Sequence, residues 1–186
     1  ATIRQYDANQ AIYSTWCDTR NTLFATHPQS ALDDEQKAKF EGLLYYEYDP
    51  SYDVVGDFNS DVEPKEYRID VGDDGEVHYK RIGEVTVTLP TGTGTLSVFW
   101  IMGYGGGVFI PFGDTTNKVT TYGAGRYLLD TIKGADLGMR AGKLVMNFNY
   151  AYNPSCSYNY RWVCPLAQPE SKVDFDIPVG EKVLNI

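Results

Sequence analysis

The sequence predicts a mainly β protein of the α+β class, with an antiparallel barrel or sandwich-like core and two N-terminal helices. Residues 1–45 contain two stretches with helical spacing of apolar side chains. Residues 46–186 contain about eight short apolar or alternating segments separated by glycine-rich turns. No strand–helix alternation of the kind that builds a parallel sheet occurs. The length of 186 residues suits one domain, with a helical segment at 1–45 packed on a β core at 46–186.

A first helix is predicted within residues 5–26, which contain neither glycine nor proline. Its apolar side chains fall at helical spacing and form one stripe: Tyr13, Trp16, Leu23 and Phe24. The helix is expected to end near His27 and Pro28, because a residue before proline avoids the helical region.

A second, shorter helix is predicted from Leu32 to Glu41 or Leu43. Ser30 stands in the N-cap position of this helix, and Asp33 follows three residues later. That spacing resembles a capping box, in which each side chain bonds to the backbone N–H of the other residue.

The strands are predicted from alternation and from turn residues. Residues 67–71 and 77–80 alternate apolar and polar side chains on either side of the turn 72–75, which predicts a hairpin. Residues 95–102 are more continuously apolar and suit a strand buried on both faces. Pro50, Gly56, Asp57, Asn59 and Pro64 predict loops. Further strands are predicted at 84–89, 107–112, 118–122, 125–131, 143–149 and 172–177.

The charge balance argues against several classes of partner. The chain carries 16 basic and 25 acidic residues, a formal net charge of −9. Such a chain repels phosphate backbones and anionic lipid surfaces, so neither nucleic acid nor membrane is expected as a partner. No apolar run approaches the ~18 residues that a transmembrane helix needs. A small-molecule ligand remains the expected partner, and the oligomeric state is left open.

The three cysteines are too few, and odd in number, for a secreted disulfide framework, so a reducing cytoplasm is expected. Cys156 and Cys164 are predicted to be a structural pair, either bridged or as two buried thiols. Together they supply only two ligands with no histidine near in sequence, and no metal site is predicted. Neither has an adjacent His or Lys to lower its pKa, so the sequence gives no support for a catalytic thiol.

Uncharged polar and aromatic side chains concentrate in residues 114–165. Asparagine and tyrosine both donate and accept hydrogen bonds without net charge, so such a cluster is either a structural network or a ligand-binding wall. Arg126 lies between two apolar strand segments and requires either an anionic ligand or a carboxylate such as Asp114 or Asp130. The predicted ligand contacts are Arg126, Tyr122, Tyr127, Asn149, Tyr152, Asn153 and Asp114.

Two blocks of the sequence resemble the DUF1684 family of uncharacterised bacterial and archaeal proteins. Residues 112–128 read FGDTT…TYGAGRYL, similar to the family's "F-x-D-x-T … T-Y-G-x-G-R-Y-L" pattern. Residues 148–166 read FNYAYNPSC…CPL, similar to "F-N-x-A-Y-N-P-x-C … C-P-L". Gly180-Glu181 resembles a closing "G-E" turn, and Trp16, Arg20 and Phe24 resemble the N-terminal helical region. Asn147 and Tyr150 depart from the family pattern, which usually has Asp and Arg there. The resemblance implies a shared fold and polar site, with no established activity.

The leading interpretation is a domain that binds a small polar or anionic metabolite through Arg126. Two alternatives stay open. One is a hydrolase that uses Asp114 as a base or Cys156 as a nucleophile, and the other is a structural or interaction protein with an exposed aromatic patch. The sequence names no cofactor and no catalytic residue.

Overall fold

The structure, a computed structural model, describes residues 10–70, 75–102, 106–130 and 137–185, and only the backbone of Asp130. The fold is mainly β, with an antiparallel sheet curved into a half-barrel and two helices, as predicted. No helix in the described ranges is both long and apolar enough to cross a bilayer.

Helix α1 (Gln10–Thr26) ends directly before His27, as predicted, while the predicted start at residues 5–9 lies outside the described residues. Helix α2 (Asp34–Lys39) is shorter than predicted. Its N-cap is Asp33, which closes a capping box with Gln36, so the assignment of this cap to Ser30 was wrong. The Ser30 hydroxyl instead accepts from the Leu32 N–H and shapes the turn between the helices.

In the described part of the chain, eight strands form the sheet: β1 (Asp53–Asn59), β2 (Glu66–Asp70), β3 (Glu76–Leu89), β4 (Gly92–Met102), β5 (Gly107–Phe112), β6 (Arg126–Asp130), β7 (Met139–Arg140) and β8 (Lys143–Asn147). Their order is β6-β5-β4-β3-β1-β8-β7, and β2 pairs with β3 beside this path. Every pair is antiparallel.

The predicted hairpin is present as β2 and β3, which place Tyr67 opposite Tyr79, although turn residues 72–74 lie outside the described part. The segments predicted at 77–80 and 84–89 are not separate strands, because both belong to β3. The register against β4 shifts between Arg81 and Gly83, and such a bulge bends a strand without ending it.

Three segments differ from the sequence prediction. Residues 53–59 form β1 where loops were expected, because Gly56 serves close packing: a Cβ there would lie 2.2 Å from Val85 Cγ2. Residues 118–122 form a turn instead of a strand, with Lys118 at a positive φ of 67°. Residues 172–177 were predicted as a strand but form only a single bridge, between Lys172 and Gly113. The rest of the segment packs over β4, with Phe175 against Gly92 and Val173 against Gly94.

Strand β4 separates two buried clusters, because successive side chains of a strand point to opposite faces. Leu96 and Val98 belong to an aliphatic core shared with β3, β5 and β8. Phe99 and Ile101 belong to an aromatic core on the other face, which Tyr13 and Trp16 of α1 complete. The aromatic core therefore joins the helix to the half-barrel.

Candidate functional site

Arg126, the predicted ligand anchor, begins β6 and is completely buried. Its Nη2 donates to Asp114 Oδ2 and to the Ile177 carbonyl, both at 2.8 Å, and its Nη1 donates to the Val179 carbonyl. The guanidinium also lies 5.2 Å from the centroid of the Phe112 ring. The ion pair with Asp114, one of the two sequence interpretations of this arginine, is present.

Asp114 has partners on both carboxylate oxygens, whereas the buried Nε of Arg126 donates to none of the described residues. Its Oδ1 accepts from the backbone N–H of Thr116 at 2.8 Å and from the Thr116 hydroxyl, while Oδ2 binds Arg126. A ligand would have to displace these partners to reach either charge. A ligand role for Arg126 and Asp114 stays a prediction, and their described contacts hold residues 177–179 against β6.

Two other predicted contacts are engaged elsewhere. The Asn149 side chain exchanges two hydrogen bonds of 2.8 Å with the backbone of Asp49 and donates to Asn147 Oδ1 at 2.9 Å. The Tyr122 hydroxyl donates to Cys156 Sγ at 3.7 Å. Asn149 therefore fastens a loop to the end of β8, and Tyr122 belongs to the neighbourhood of the thiols.

Tyr127 packs on Tyr152, and Tyr152 and Asn153 contact a different charged pair, so a role of these three residues as ligand contacts stays a prediction. Tyr127 and Tyr152 exchange backbone hydrogen bonds of 2.8 and 3.0 Å, and their ring centroids are 5.7 Å apart. The backbone N–H of Asn153 donates to Glu181 Oε2 at 3.1 Å. This contact leads to a second buried ion pair among the described residues.

Arg20 and Glu181 form that second pair, with Nη2 and Oε2 2.7 Å apart. Arg20 Nε donates to the Tyr45 hydroxyl at 3.0 Å, and the Tyr158 hydroxyl donates to Glu181 Oε1. The Glu181 side chain is fully buried, whereas that of Arg20 is 14% exposed. We call these residues, with Trp16 and Tyr152, the Arg20–Glu181 site.

Aromatic rings surround the guanidinium of Arg20. Its Cζ lies 5.2 Å from the Trp16 ring centroid, 5.4 Å from that of Phe24 and 5.1 Å from that of Tyr152. A guanidinium over an aromatic face gains a cation–π attraction that is stronger when water is excluded. The rings continue away from the arginine through Tyr13, Tyr45, Tyr48 and Tyr150. The cationic head is thus held in a fixed position.

Arg20 retains donor capacity. A guanidinium carries five N–H groups. Its Nε and Nη2 donate to Tyr45 and Glu181, and Nη1 donates to none of the described residues. With the side chain partly exposed, this edge of the arginine is available to a bound acceptor.

Burial keeps the surrounding hydroxyls and thiol protonated. Desolvation raises the pKa of Tyr45 and of Tyr158 above the usual tyrosine range. Desolvation also raises the pKa of Cys17, on the same helix as Arg20, to about 12. At neutral pH these groups therefore act as uncharged hydrogen-bonding groups.

Sequence reasoning missed Arg20 and Glu181 as site residues, although both stand in segments that resemble the family. One signal was available for Arg20. It lies four residues after Trp16 and four before Phe24, so a charged side chain interrupts the apolar stripe of the first helix. A buried arginine requires an acidic partner, but the sequence did not indicate Glu181.

Cys156 and Cys164 are adjacent in space and are not joined by a disulfide. The backbone N–H of Cys156 donates to Cys164 Sγ at 3.4 Å. The hydrogen bond with Cys164, together with burial, raises the pKa of the Cys156 thiol. Within the described ranges, no group of three or more His, Cys, Asp or Glu side chains is arranged to hold a metal ion.

Comparison with known proteins gives a family and a structural relative. No curated protein matches the chain. The solution NMR structure of the uncharacterized protein from gene locus rrnAC0354 of Haloarcula marismortui is similar, with a TM-score of 0.66 and 25% sequence identity over 91% of each chain. A family model described as protein of unknown function DUF1684 matches residues 38–182. The chain belongs to the DUF1684 family.

Proposed function

We propose that this domain binds a small polar molecule at the Arg20–Glu181 site. The observation that carries the proposal is the Nη1 edge of Arg20, which donates to no described residue while aromatic rings and Glu181 fix the rest of the guanidinium. Ligand sites typically combine aromatic walls with a few converging polar groups. Arg20 and Tyr45, both partly exposed, supply the polar groups here.

The charge of the site favours a ligand without a full negative charge. Glu181 already neutralises Arg20 at 2.7 Å, and a second carboxylate or phosphate at Nη1 would lie close to the Glu181 charge. The net charge of −9 also disfavours the approach of anions. A carbonyl, amide or hydroxyl oxygen can accept from Nη1 without this repulsion.

The aromatic rings favour a ligand with a flat or apolar face. Phe24, whose ring centroid lies 5.4 Å from the Arg20 Cζ, and Tyr45, whose hydroxyl accepts from Arg20, are partly exposed, while Trp16 and Tyr152 are buried. Aromatic side chains provide a large apolar contact area, and the tyrosine hydroxyls add a polar edge. A neutral molecule with one flat face and several hydroxyl or amide groups meets both requirements.

The acidic net charge also bears on other partners, and the cysteines bear on location. We expect neither nucleic acid nor an anionic membrane to bind, because both are polyanionic. We also expect the domain to work in the cytoplasm, where reducing conditions keep cysteines such as Cys17 as thiols.

The hydrolase alternative has little support from the geometry. Asp114 accepts from Arg126 and twice from Thr116, so it lacks the open position that a general base needs. The raised pKa of Cys156 leaves it protonated at neutral pH, whereas thiol catalysis requires the thiolate.

One feature favours the interaction alternative. Tyr160 is 97% exposed, Val163 51% and Leu166 38%, all within one short segment. Single exposed apolar residues are common on monomers, so these three are a weaker argument than the unpaired donors of Arg20.

The proposal is tested by ligand screening with tryptophan fluorescence, because Trp16 lies in the site. Purified protein is first checked for a retained molecule by native mass spectrometry. It is then titrated with neutral nucleosides, sugars and amides, and separately with phosphates and carboxylates. We expect neutral compounds to bind, and Arg20→Lys to weaken binding roughly tenfold to a hundredfold through the loss of charge-assisted hydrogen bonds.

Matched variants show which arginine binds the ligand. Arg68→Lys changes an arginine on β2 that is 63% exposed and should leave binding unchanged. Trp16→Phe should remove the ligand-dependent change in fluorescence, while Trp100 and Trp162 still fluoresce, and should keep binding when it is measured by calorimetry. Binding that survives Arg20→Lys and is lost in Arg126→Lys would refute the Arg20 site and restore Arg126 as the anchor.

A further inference from the structure

The segment between Cys156 and Cys164 is a loop whose two ends touch. The cysteines are eight positions apart, and the Cys156 N–H donates to Cys164 Sγ at 3.4 Å. Both cysteines are partly exposed. We call residues 156–164 the thiol loop.

The thiol loop carries the side chains that hold the turn between the two helices. Asn159 Nδ2 donates to Asp33 Oδ2 and to Gln36 Oε1, each at 2.9 Å. Trp162 Nε1 donates to the Ala31 carbonyl at 2.9 Å. These contacts engage the N-cap and the capping box of α2.

Two further residues of the thiol loop extend this attachment. Arg161 Nη2 donates to the carbonyls of Ser30 and Leu32 at 3.2 and 3.3 Å. The backbone carbonyl of Tyr158 accepts from Gln36 Nε2 at 2.6 Å, and the Tyr158 side-chain hydroxyl donates to Glu181. One loop therefore connects the helices with the buried carboxylate under α1.

We propose that Cys156 and Cys164 are a reversible oxidation site, and that a disulfide between them tightens the attachment of α2 to the sheet. The thiols already lie against each other at the base of the loop. A bond at that position removes conformations in which the loop swings away from residues 30–36, because the ends can no longer separate.

The oxidant is a low-molecular-weight disulfide, and the exchange is balanced. The Cys164 thiolate, which the Cys156 N–H stabilises, attacks one sulfur of the oxidant, forms a mixed disulfide and releases one thiolate. Cys156 then loses its proton to solvent, attacks the Cys164 sulfur and releases the second thiolate. Two protein thiols are oxidised and one external disulfide is reduced to two thiols. The raised pKa of Cys156 makes the second step faster at alkaline pH.

The test uses the full chain and requires no ligand, so it is independent of the proposed small-molecule site. The protein is incubated with oxidised glutathione or with a phosphine reductant, and hydrogen exchange is followed by mass spectrometry. We expect a Cys156–Cys164 bridge in peptide maps, and exchange in Asp34–Lys39 that slows on the order of tenfold on oxidation.

Cysteine variants separate the bridge from nonspecific oxidation. Cys17→Ser changes the third cysteine and should keep both the bridge and the slower exchange. Cys156→Ser should stop at the mixed disulfide on Cys164 and lose the effect on exchange. Circular dichroism establishes that each variant is folded. If Cys156→Ser does not fold, Cys156→Ala replaces it in the experiment.

Three outcomes would overturn the inference. In the first, all three thiols can still be alkylated after incubation with oxidised glutathione at about pH 8–9, where cysteine thiols normally begin to ionise. Another is a bridge that involves Cys17. The third is a Cys156–Cys164 bridge that leaves exchange in Asp34–Lys39 unchanged, which would refute the tightening of α2.

Discussion

The two buried arginine–carboxylate pairs have nearly equal distances but different surroundings. Arg126 meets Asp114 at 2.8 Å and Arg20 meets Glu181 at 2.7 Å. Arg126 is fully buried and bonds to backbone carbonyls, whereas Arg20 is 14% exposed and lies among aromatic rings. A buried arginine alone thus does not identify a binding site. Access to solvent distinguishes the two pairs: the unpartnered Nε of Arg126 is buried, whereas the free Nη1 edge of Arg20 belongs to a partly exposed side chain.

The largest expected effect breaks the structural pair. Arg126→Met leaves the Asp114 charge buried without its cation and frees the carbonyls of Ile177 and Val179. Loss of one partner of a buried pair typically costs about 3–5 kcal/mol. Urea unfolding monitored by circular dichroism should show this loss in the free energy of unfolding. A loss below about 1 kcal/mol, the value typical of a surface ion pair, would mean that the pair contributes little.

A smaller effect is expected at the candidate site. Arg20→Met removes the ion pair, and Glu181 keeps its hydrogen bonds from Tyr158 and the Asn153 N–H, as Asp114 keeps those from Thr116. The difference is that Arg20 is 14% exposed, so water can take the place of the lost guanidinium. Methionine also retains apolar contact with the rings. We expect destabilisation of roughly 1.5–3 kcal/mol, the range for hydrogen bonds to charged groups. The same urea experiment checks it, and a larger loss than in Arg126→Met would reverse the comparison.

A third variant acts on the segment that both pairs share. Gly180 precedes Glu181 with a φ of +78°, and a Cβ there would lie 2.7 Å from the Ala151 carbonyl oxygen. Gly180→Ala should destabilise the protein by about 1–2 kcal/mol from the left-handed backbone alone. Thermal unfolding measures this change. Gly138→Ala is a matched control, because Gly138 has a φ of +77° and open space around it. This variant should show the destabilisation from the left-handed backbone without any steric clash of the added Cβ.

High pH should affect the candidate site before the structural pair. Burial raises the pKa of Tyr45 and Tyr158, so the folded chain holds these protons after an unfolded chain has released them. The contribution to stability is complete below pH ~10 and is lost as pH rises above that value. Tyrosine absorbance and unfolding free energies between neutral pH and pH 11 measure it. Tyr158→Phe should flatten the pH dependence, and an unchanged slope would contradict this assignment.

The sequence predicted much of the fold because local patterns determine it. The β2–β3 hairpin, β4, β5, β6 and the end of α1 follow from alternation, turn residues and proline. Strand β1 was missed because Gly56 suggests a turn, whereas its role is to admit Val85 from the neighbouring strand. That role depends on a contact between residues far apart in sequence, which periodicity does not encode.

The candidate site was predicted less well for the same reason. Arg126 and Asp114 are 12 positions apart, and their pairing could be weighed from the sequence. Arg20 and Glu181 are 161 positions apart. Tyr127, Tyr152 and Asn153 were predicted as contacts and do lie near this pair, but only the folded chain places α1 over them.

The shared segment at residues 177–181 also has a consequence for synthesis of the protein. Arg126 binds the carbonyls of Ile177 and Val179, and Arg20 binds Glu181. A ribosome adds about 5–20 residues per second, so Glu181, 161 positions after Arg20, is synthesised roughly 8 to 30 s later. During that interval Arg20, which is buried in the folded protein, has no acidic partner, whereas Asp114 is already synthesised when Arg126 is added. Chaperones that bind unfinished chains would therefore contact α1 before it packs against the half-barrel.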